Sequence, residues 1–303
     1  MAVAEIVPPI NRPIAGIIAR LASAAAMALM FALIKLTAAR GVHIVESVFY
    51  RQLFSLPLIA AWVAAGPGFA SLRTARVPAH INRMIVGLIG MVLNFVGVIM
   101  LPLPEATVIG FTVPLFATMF AAFFLSERTG LFRWSAVIIG FAGILIAFPP
   151  NGASLHSTGA AIALAGAVMT AIVSILIRQL GATEPAPTTV FWFSATSLIP
   201  AGLAMLFFAQ AHDATTWALL LAAGVAGGVG QLLLTSALRL APVSVVLPMD
   251  YSGLIWATLL GWLIFEKLPA PATLLGAPII IASGLAILWR EHYLGKIRNK
   301  MVE

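Results

Sequence analysis

Setting aside charges assigned to the membrane interfaces, three ionisable residues lie inside apolar runs of this 303-residue chain: Glu46, Arg51 and Asp250. Asp250 stands in "VVLPMDYSGLIW", two residues after a proline. A carboxylate at the centre of a bilayer costs roughly 2.5–3.5 kcal/mol on insertion scales, so a charge kept there marks a candidate site. Counted along their runs, Arg51 lies roughly 10 Å deep from one side and Asp250 roughly 12 Å deep from the other, at about 1.5 Å per helical residue. Across a hydrocarbon core of about 30 Å the two would differ in height by under about 10 Å. A zwitterion fits such a gap, with Arg51 facing a carboxylate and Asp250 an ammonium group. Asp250 could instead carry a coupling proton, or the two charges could be paired only to avoid isolation.

Neutral groups add to the list. Asn94 and Gln231 occupy similar places in two apolar runs, where amides contact a substrate or bond across helices. Tyr50 adjoins Arg51, Tyr251 adjoins Asp250, Trp256 follows in the same run as Asp250, and Trp192 is the counterpart of Phe49 in a later run. Aromatic walls with few polar groups suit a planar or amphipathic solute, although Trp and Tyr also anchor helices at bilayer interfaces. Pro57, Pro114, Pro200 and Pro248 interrupt four runs; each removes a backbone hydrogen bond and provides a candidate hinge. "GVAGGVG", residues 224–230, lacks the Lys-Ser/Thr of a phosphate loop and reads as close helix packing.

Positioning these residues requires elements that cross a membrane. The chain is 61% hydrophobic and 9% charged, with a mean hydropathy of +1.06, whereas soluble domains carry about 25% charged residues. Ten apolar runs are visible, roughly 15–36, 44–65, 84–101, 106–125, 134–149, 159–180, 188–209, 216–237, 243–265 and 272–289. Most have the length of a spanning helix and are too long for membrane β-strands. Only helices satisfy their own backbone in lipid, so the expected class is an all-α polytopic membrane protein. No separate cleavable signal is expected, because residues 1–13 hold three prolines and no apolar core.

The net charge of +7 is distributed unevenly. With the N-terminus in the cytoplasm, most basic residues, among them Arg20, Arg83, Arg133, Arg178 and the tail "REHYLGKIRNK", fall on the cytoplasmic side. Lys35, Arg40 and Lys267 fall opposite. This is the positive-inside pattern, so both termini are expected in the cytoplasm and no nucleic-acid partner is invoked. The absence of cysteine excludes disulfides and thiolate chemistry. The histidines read as solvated loop residues, none with a partner at metal-ligand spacing, so neither metal nor cofactor is expected. The carboxylates do not form a protease dyad and no P-loop is present. The sequence thus points away from an enzyme and from ATP-driven transport.

The chain also repeats. Residues 16–57 slide onto 159–200 so that Gly16 meets Gly159, "LIK" meets "LIR" and Pro57 meets Pro200. At a slightly shorter offset Gly87, Gly90 and Asn94 meet Gly224, Gly227 and Gln231, and "FFLSER" ending at Arg128 meets "WLIFEK" ending at Lys267. In this register Arg51 meets Ser194, and Asp250 meets the uncharged region around Phe111 and Thr112. Two halves of five spans each must enter the membrane from opposite sides, which predicts inverted repeats and a midplane site between them.

On "FTVPLFATMFAAFFLSER" and "PMDYSGLIWATLLGWLIFEK", each with a glycine-containing helix behind it, the chain resembles the EamA-type carriers of the drug/metabolite transporter superfamily. The resemblance covers about residues 14–290. It implies ten helices in two inverted five-helix repeats, with helices one to four and six to nine around a cavity and five and ten outside. It also implies that Glu127 and Glu266 cap helix ends. The nearest analogy is to aromatic amino-acid and methyl-viologen exporters. The expected organisation is a cytoplasmic segment 1–13, repeats 14–150 and 151–290, and a basic cytoplasmic tail 291–303. The expected function is an inner-membrane secondary carrier, facilitative or proton-linked, exporting amino acids or amphipathic metabolites. Uptake of a cofactor-like solute such as riboflavin or S-adenosylmethionine is the alternative.

Overall fold

The computed structural model describes residues 12–124, 130–149, 154–181 and 183–300. Among them the chain is helical, with no strand. The first half holds α1 (Pro13–Ala39), α2 (Ile44–Ala65), α3 (Val77–Met100), α4 (Leu103–Gly110), α5 (Val113–Phe124) and α6 (Leu131–Ala147). The second holds α7 (Ser154–Gly181), α8 (Ala186–Phe208), α9 (Ala214–Leu240), α10 (Val243–Val246), α11 (Gly253–Phe265) and α12 (Pro271–Lys300). Eight helical stretches are long and apolar enough to cross a membrane, one of them Leu103–Phe123 across α4 and α5. The shorter apolar α6, and α10 to α11 joined through a 3-10 turn over Leu247–Ser252, cover the fifth and ninth runs. Large apolar side chains such as Ile138, Leu145, Leu206, Phe207 and Leu275 point outward, as they do in a protein solvated by lipid.

Two segments are broken at corresponding places. The fourth is interrupted at Phe111 and Thr112, just before Pro114, and the ninth at the 3-10 turn containing Pro248. A proline has no N–H to donate, so the chain tightens there instead of continuing as one α-helix. Phe111 and Tyr251, one from each break, pack edge to face with ring centroids 4.9 Å apart. Pro57 and Pro200 behave differently from expectation: they lie inside the unbroken helices α2 and α8. In an apolar medium the remaining backbone bonds of a long helix hold it together across one missing donor.

The end of α3 is secured from another helix. Lys35 Nζ donates to the carbonyls of Val98, Ile99 and Leu101 at 2.9, 2.8 and 2.8 Å, using a cation where helical carbonyls are left unpaired. Glu266 ends α11 in the left-handed region at φ 53°, its N–H bonded to the carbonyl of Trp262. That is a helix-terminating role, as expected, while Glu127 and Arg128 lie outside the described residues. The boundary expected at residue 290 falls within α12, which is helical through Lys300.

Packing joins the halves in a two-fold pattern. Helix α1 packs on α9 and α3 on α7; α2 packs on α8, and α6 on α12. Exchanging each span with its repeat counterpart turns the first pair into the second and leaves the last two unchanged. Counterparts also run antiparallel where they touch. Gln52 bonds Ser197 while Phe49 lies against Gly202. Gly143 meets Ile279 and Ile280 while Ala147 meets Gly276. At this last contact the backbones touch, since a Cβ on Gly276 would stand 2.4 Å from the Gly143 carbonyl oxygen.

Candidate functional site

A cavity of about 660 Å³ lies between the halves, a volume typical of sites for drug-sized solutes. The wall is mainly α1, α3, the broken fourth segment, α7 and the broken ninth segment. Arg133 and the exposed Arg178 stand at one end. The other end is packed shut by Leu101, Leu103, Ile109 and Ala160, backed by Phe148 and Phe265. The expected ring of helices one to four and six to nine is therefore not what the wall shows. Helices α2 and α8 contribute nothing to it, and α6 and α12 contribute Arg133, Ile287 and Leu288.

Asp250 lines this cavity, and its partner is Arg20 on α1. Arg20 donates through Nε and Nη2 to both carboxylate oxygens, a bidentate pair. The Arg20 side chain is 9% exposed and that of Asp250 36%, so the carboxylate is the wetter member. Arg20 Nη1 is buried and donates to no protein acceptor. The tight 3-10 turn around Pro248 brings Asp250 to the surface of the ninth segment against α1. The sequence placed Arg20 among cytoplasmic surface charges; it lies inside the bundle because α1 turns that face toward the ninth segment. A charged residue a few turns into a spanning run carries no sign in sequence of which face it occupies.

Around this pair the cavity is aromatic and amide-bearing. Phe31, Phe111 and Tyr251 supply apolar wall, and the Tyr251 hydroxyl is buried without a hydrogen-bond partner. Asn94 also faces the cavity, its amide donating to Gly90 O at 2.7 Å and to Thr170 Oγ1 at 3.1 Å. It thus bridges α3 and α7 while bordering the open space.

The remaining sequence candidates lie elsewhere. Arg51 lines a second, smaller cavity with Arg83, Ser194 and Gln231, so Arg51 and Asp250 do not bracket one ligand. Tyr50 packs edge to face on Trp217 at 4.9 Å and beside Phe54. Trp192 donates to the Leu72 carbonyl at 2.9 Å and stacks on His80, tying α8 to the turn before α3. Trp256 is half-buried on α11 and borders neither cavity. Glu46 is fully buried at the start of α2. It accepts from the backbone N–H of His43 and of Gln210, both at 3.0 Å, and lies 2.9 Å from His212 Nε2. It clamps two loops together, far along the chain from Asp250. Of the histidines read as solvated, His80 is 1% exposed, because α3 begins seven residues before its apolar run and turns one face of its first turns inward. The same extension buries Arg83.

Residues 14–148 and 157–289 each match the EamA-like transporter family. The chain is 28% identical to the pseudopaline exporter CntI of Pseudomonas aeruginosa, over 90% of this chain and 95% of that one. It is 31% identical to a riboflavin transporter of Rhizobium johnstonii, over 79% and 78% of the two chains. It is 28% identical to an S-adenosylmethionine uptake transporter of Rickettsia bellii, over 82% and 85%. A solved crystal structure at 21% identity superposes with a TM-score of 0.60, over 89% of this chain and 96% of that one, a likeness of fold.

Proposed function

Because the chain belongs to the EamA-like transporter family, and is therefore a multi-pass membrane transporter and not an enzyme, we propose that it is a secondary carrier whose solute binds at the Arg20–Asp250 pair. The observation that carries this is a charged pair lining a cavity closed at one end. A zwitterionic solute exchanges partners with it: the solute carboxylate takes Arg20, whose free Nη1 already lacks an acceptor, and the ammonium takes Asp250. An aromatic or otherwise apolar body rests against Phe31, Phe111 and Tyr251. Amino acids and amphipathic metabolites, aromatic ones included, fit this chemistry. Small-molecule solute and lipid are the required partners, a proton on Asp250 provides one route to coupling, and no cofactor is called for.

In this reading the two halves are inverted repeats, supported by antiparallel counterpart helices and the two-fold packing pattern. Both termini lie in the cytoplasm of a bacterial inner membrane, and the cavity opens to the cytoplasm at the Arg133 and Arg178 end. Rocking the halves about the broken fourth and ninth segments, near Pro114 and Pro248, would close that end and open the other. Pro57 and Pro200 add bending points within α2 and α8. Export is the direction we favour; uptake of a cofactor-like solute is the second reading, supported by relatives named as riboflavin and S-adenosylmethionine transporters.

Counterflow in proteoliposomes against amino acids, riboflavin, S-adenosylmethionine and viologen tests the solute class. Asp250→Asn alone leaves a buried guanidinium without its charge partner, a loss that destabilises by roughly 3–5 kcal/mol in comparable cases. The Arg20→Gln/Asp250→Asn double variant is therefore the cleaner probe. We expect it to recover folded protein while transport stays at least tenfold down; transport near the wild-type rate in the double variant refutes the site.

A further inference from the structure

We propose that Arg51 and Arg83 together hold a small inorganic anion, of halide or nitrate size, at a site separate from the solute cavity. Both side chains sit within spanning helices, and both residues are 7% exposed. They line one cavity of about 30 Å³ enclosed by α2, α3, α8 and α9. Two cations brought this deep repel one another and lose their hydration, a cost that a buried counter-charge offsets. No carboxylate borders the cavity.

The guanidinium groups have hydrogen bonds to spare. Arg51 donates to Gln52 Oε1, which leaves its buried Nε without an acceptor. Arg83 rests its charge on the face of Phe193, 3.9 Å from the ring centroid, yet its Nε and Nη1 are buried and donate to no protein acceptor. Ring stacking compensates charge but accepts no in-plane N–H. Ser194 and Gln231 border the same space and supply neutral donors. The backbone of α9 comes close at Gly227, where a Cβ would stand 3.0 Å from Arg51 Nε. All of these groups suit an acceptor with a negative charge and little bulk.

Size and placement separate this anion from the carried solute. A water needs about 10–15 Å³ of such space, so about 30 Å³ admits a guest of two or three water volumes, the size of a simple ion and too small for an amphipathic solute. The two cavities share no lining residue. The occupant is therefore a free ion from solution, fixed between α2 and α3 of one half and α8 and α9 of the other. It would hold those helices together whatever the larger cavity carries.

Purified full-length protein dialysed into sodium gluconate, whose anion is too large to enter, would be titrated with chloride, bromide or nitrate at constant ionic strength. Thermal unfolding is followed by tryptophan fluorescence. The expected result is a saturable rise in the unfolding midpoint with chloride or bromide, with the half-saturating concentration raised at least tenfold in Arg51→Gln and Arg83→Gln. Should those variants not fold, Ser194→Val and Gln231→Leu fill or strip the same cavity without stranding a charge, and must weaken the response. An unchanged midpoint in wild-type protein overturns the site, as does a rise that persists undiminished in every variant that folds. A rise seen with acetate or a transported solute but not with chloride shows a carboxylate-binding subsite and overturns the free-ion assignment.

Discussion

Asp213 shows how a single residue couples pH to this fold. It lies outside the membrane spans, at the cap of α9, where its carboxylate accepts from Thr216 N–H at 3.0 Å and stands 3.5 Å from the Arg40 guanidinium. Hydrogen bonding to Thr216, and more weakly the Arg40 charge, hold its carboxyl below the ordinary 3.8. A carboxylate lowered on folding contributes stability that is present above its unfolded value and lost as pH falls through the folded one. Asparagine caps helices about as well, so Asp213→Asn isolates the charge. The stability gap between wild type and Asp213→Asn should be flat at neutral pH and close below about pH 4, the ordinary carboxylate range. A gap that widens in acid contradicts this assignment. Arg20 and Asp250 form the other informative residue pair: the double variant proposed above separates solute binding from charge neutralisation.

Helix ends and helix contacts set the next scale. Lys35 supplies donors to three carbonyls where α3 stops, two residues before α4 begins. Lys35→Met keeps the length and removes the charge, and should cost about 2 kcal/mol, the usual range for losing a charged hydrogen bond to buried groups. The readout is a lower unfolding midpoint, with a larger loss than for an exposed lysine such as Lys267. The α6–α12 contact depends on glycine for a different reason. A methyl at residue 276 would lie 2.4 Å from a backbone oxygen and 2.6 Å from Ala147 Cβ, so Gly276→Ala must push the helices apart. Overpacking of this kind costs about 1–3 kcal/mol, and an unchanged midpoint would mean the helices do not touch there.

At the scale of the whole molecule, inverted repeats make a geometric prediction. The α2–α3 and α8–α9 connections are counterparts and must lie on opposite membrane faces. The chain has no cysteine, so Ala70→Cys and Ala211→Cys, both at exposed positions, each introduce a lone thiol. In intact cells a membrane-impermeant maleimide should label residue 211 and spare residue 70; labelling of both or neither from one side removes the inverted architecture. Much of this was legible in the chain. Hydrophobic runs set by bilayer thickness announced the helices, matched motifs announced two halves, and Asp250 stood out because a carboxylate in an apolar run is costly wherever it faces. The partner of Asp250 was not legible, since the sequence separation of 230 between Arg20 and Asp250 is bridged only by packing α1 against the broken ninth segment. Nor was the separation of Arg51 from Asp250, because depth along a helix can be counted from sequence while the direction a side chain faces depends on how each helix is rotated. Sequence determined which segments enter the membrane and which charges enter with them; only the tertiary structure decided which charges meet, because that depends on the rotation and neighbours of helices that hydropathy treats alike.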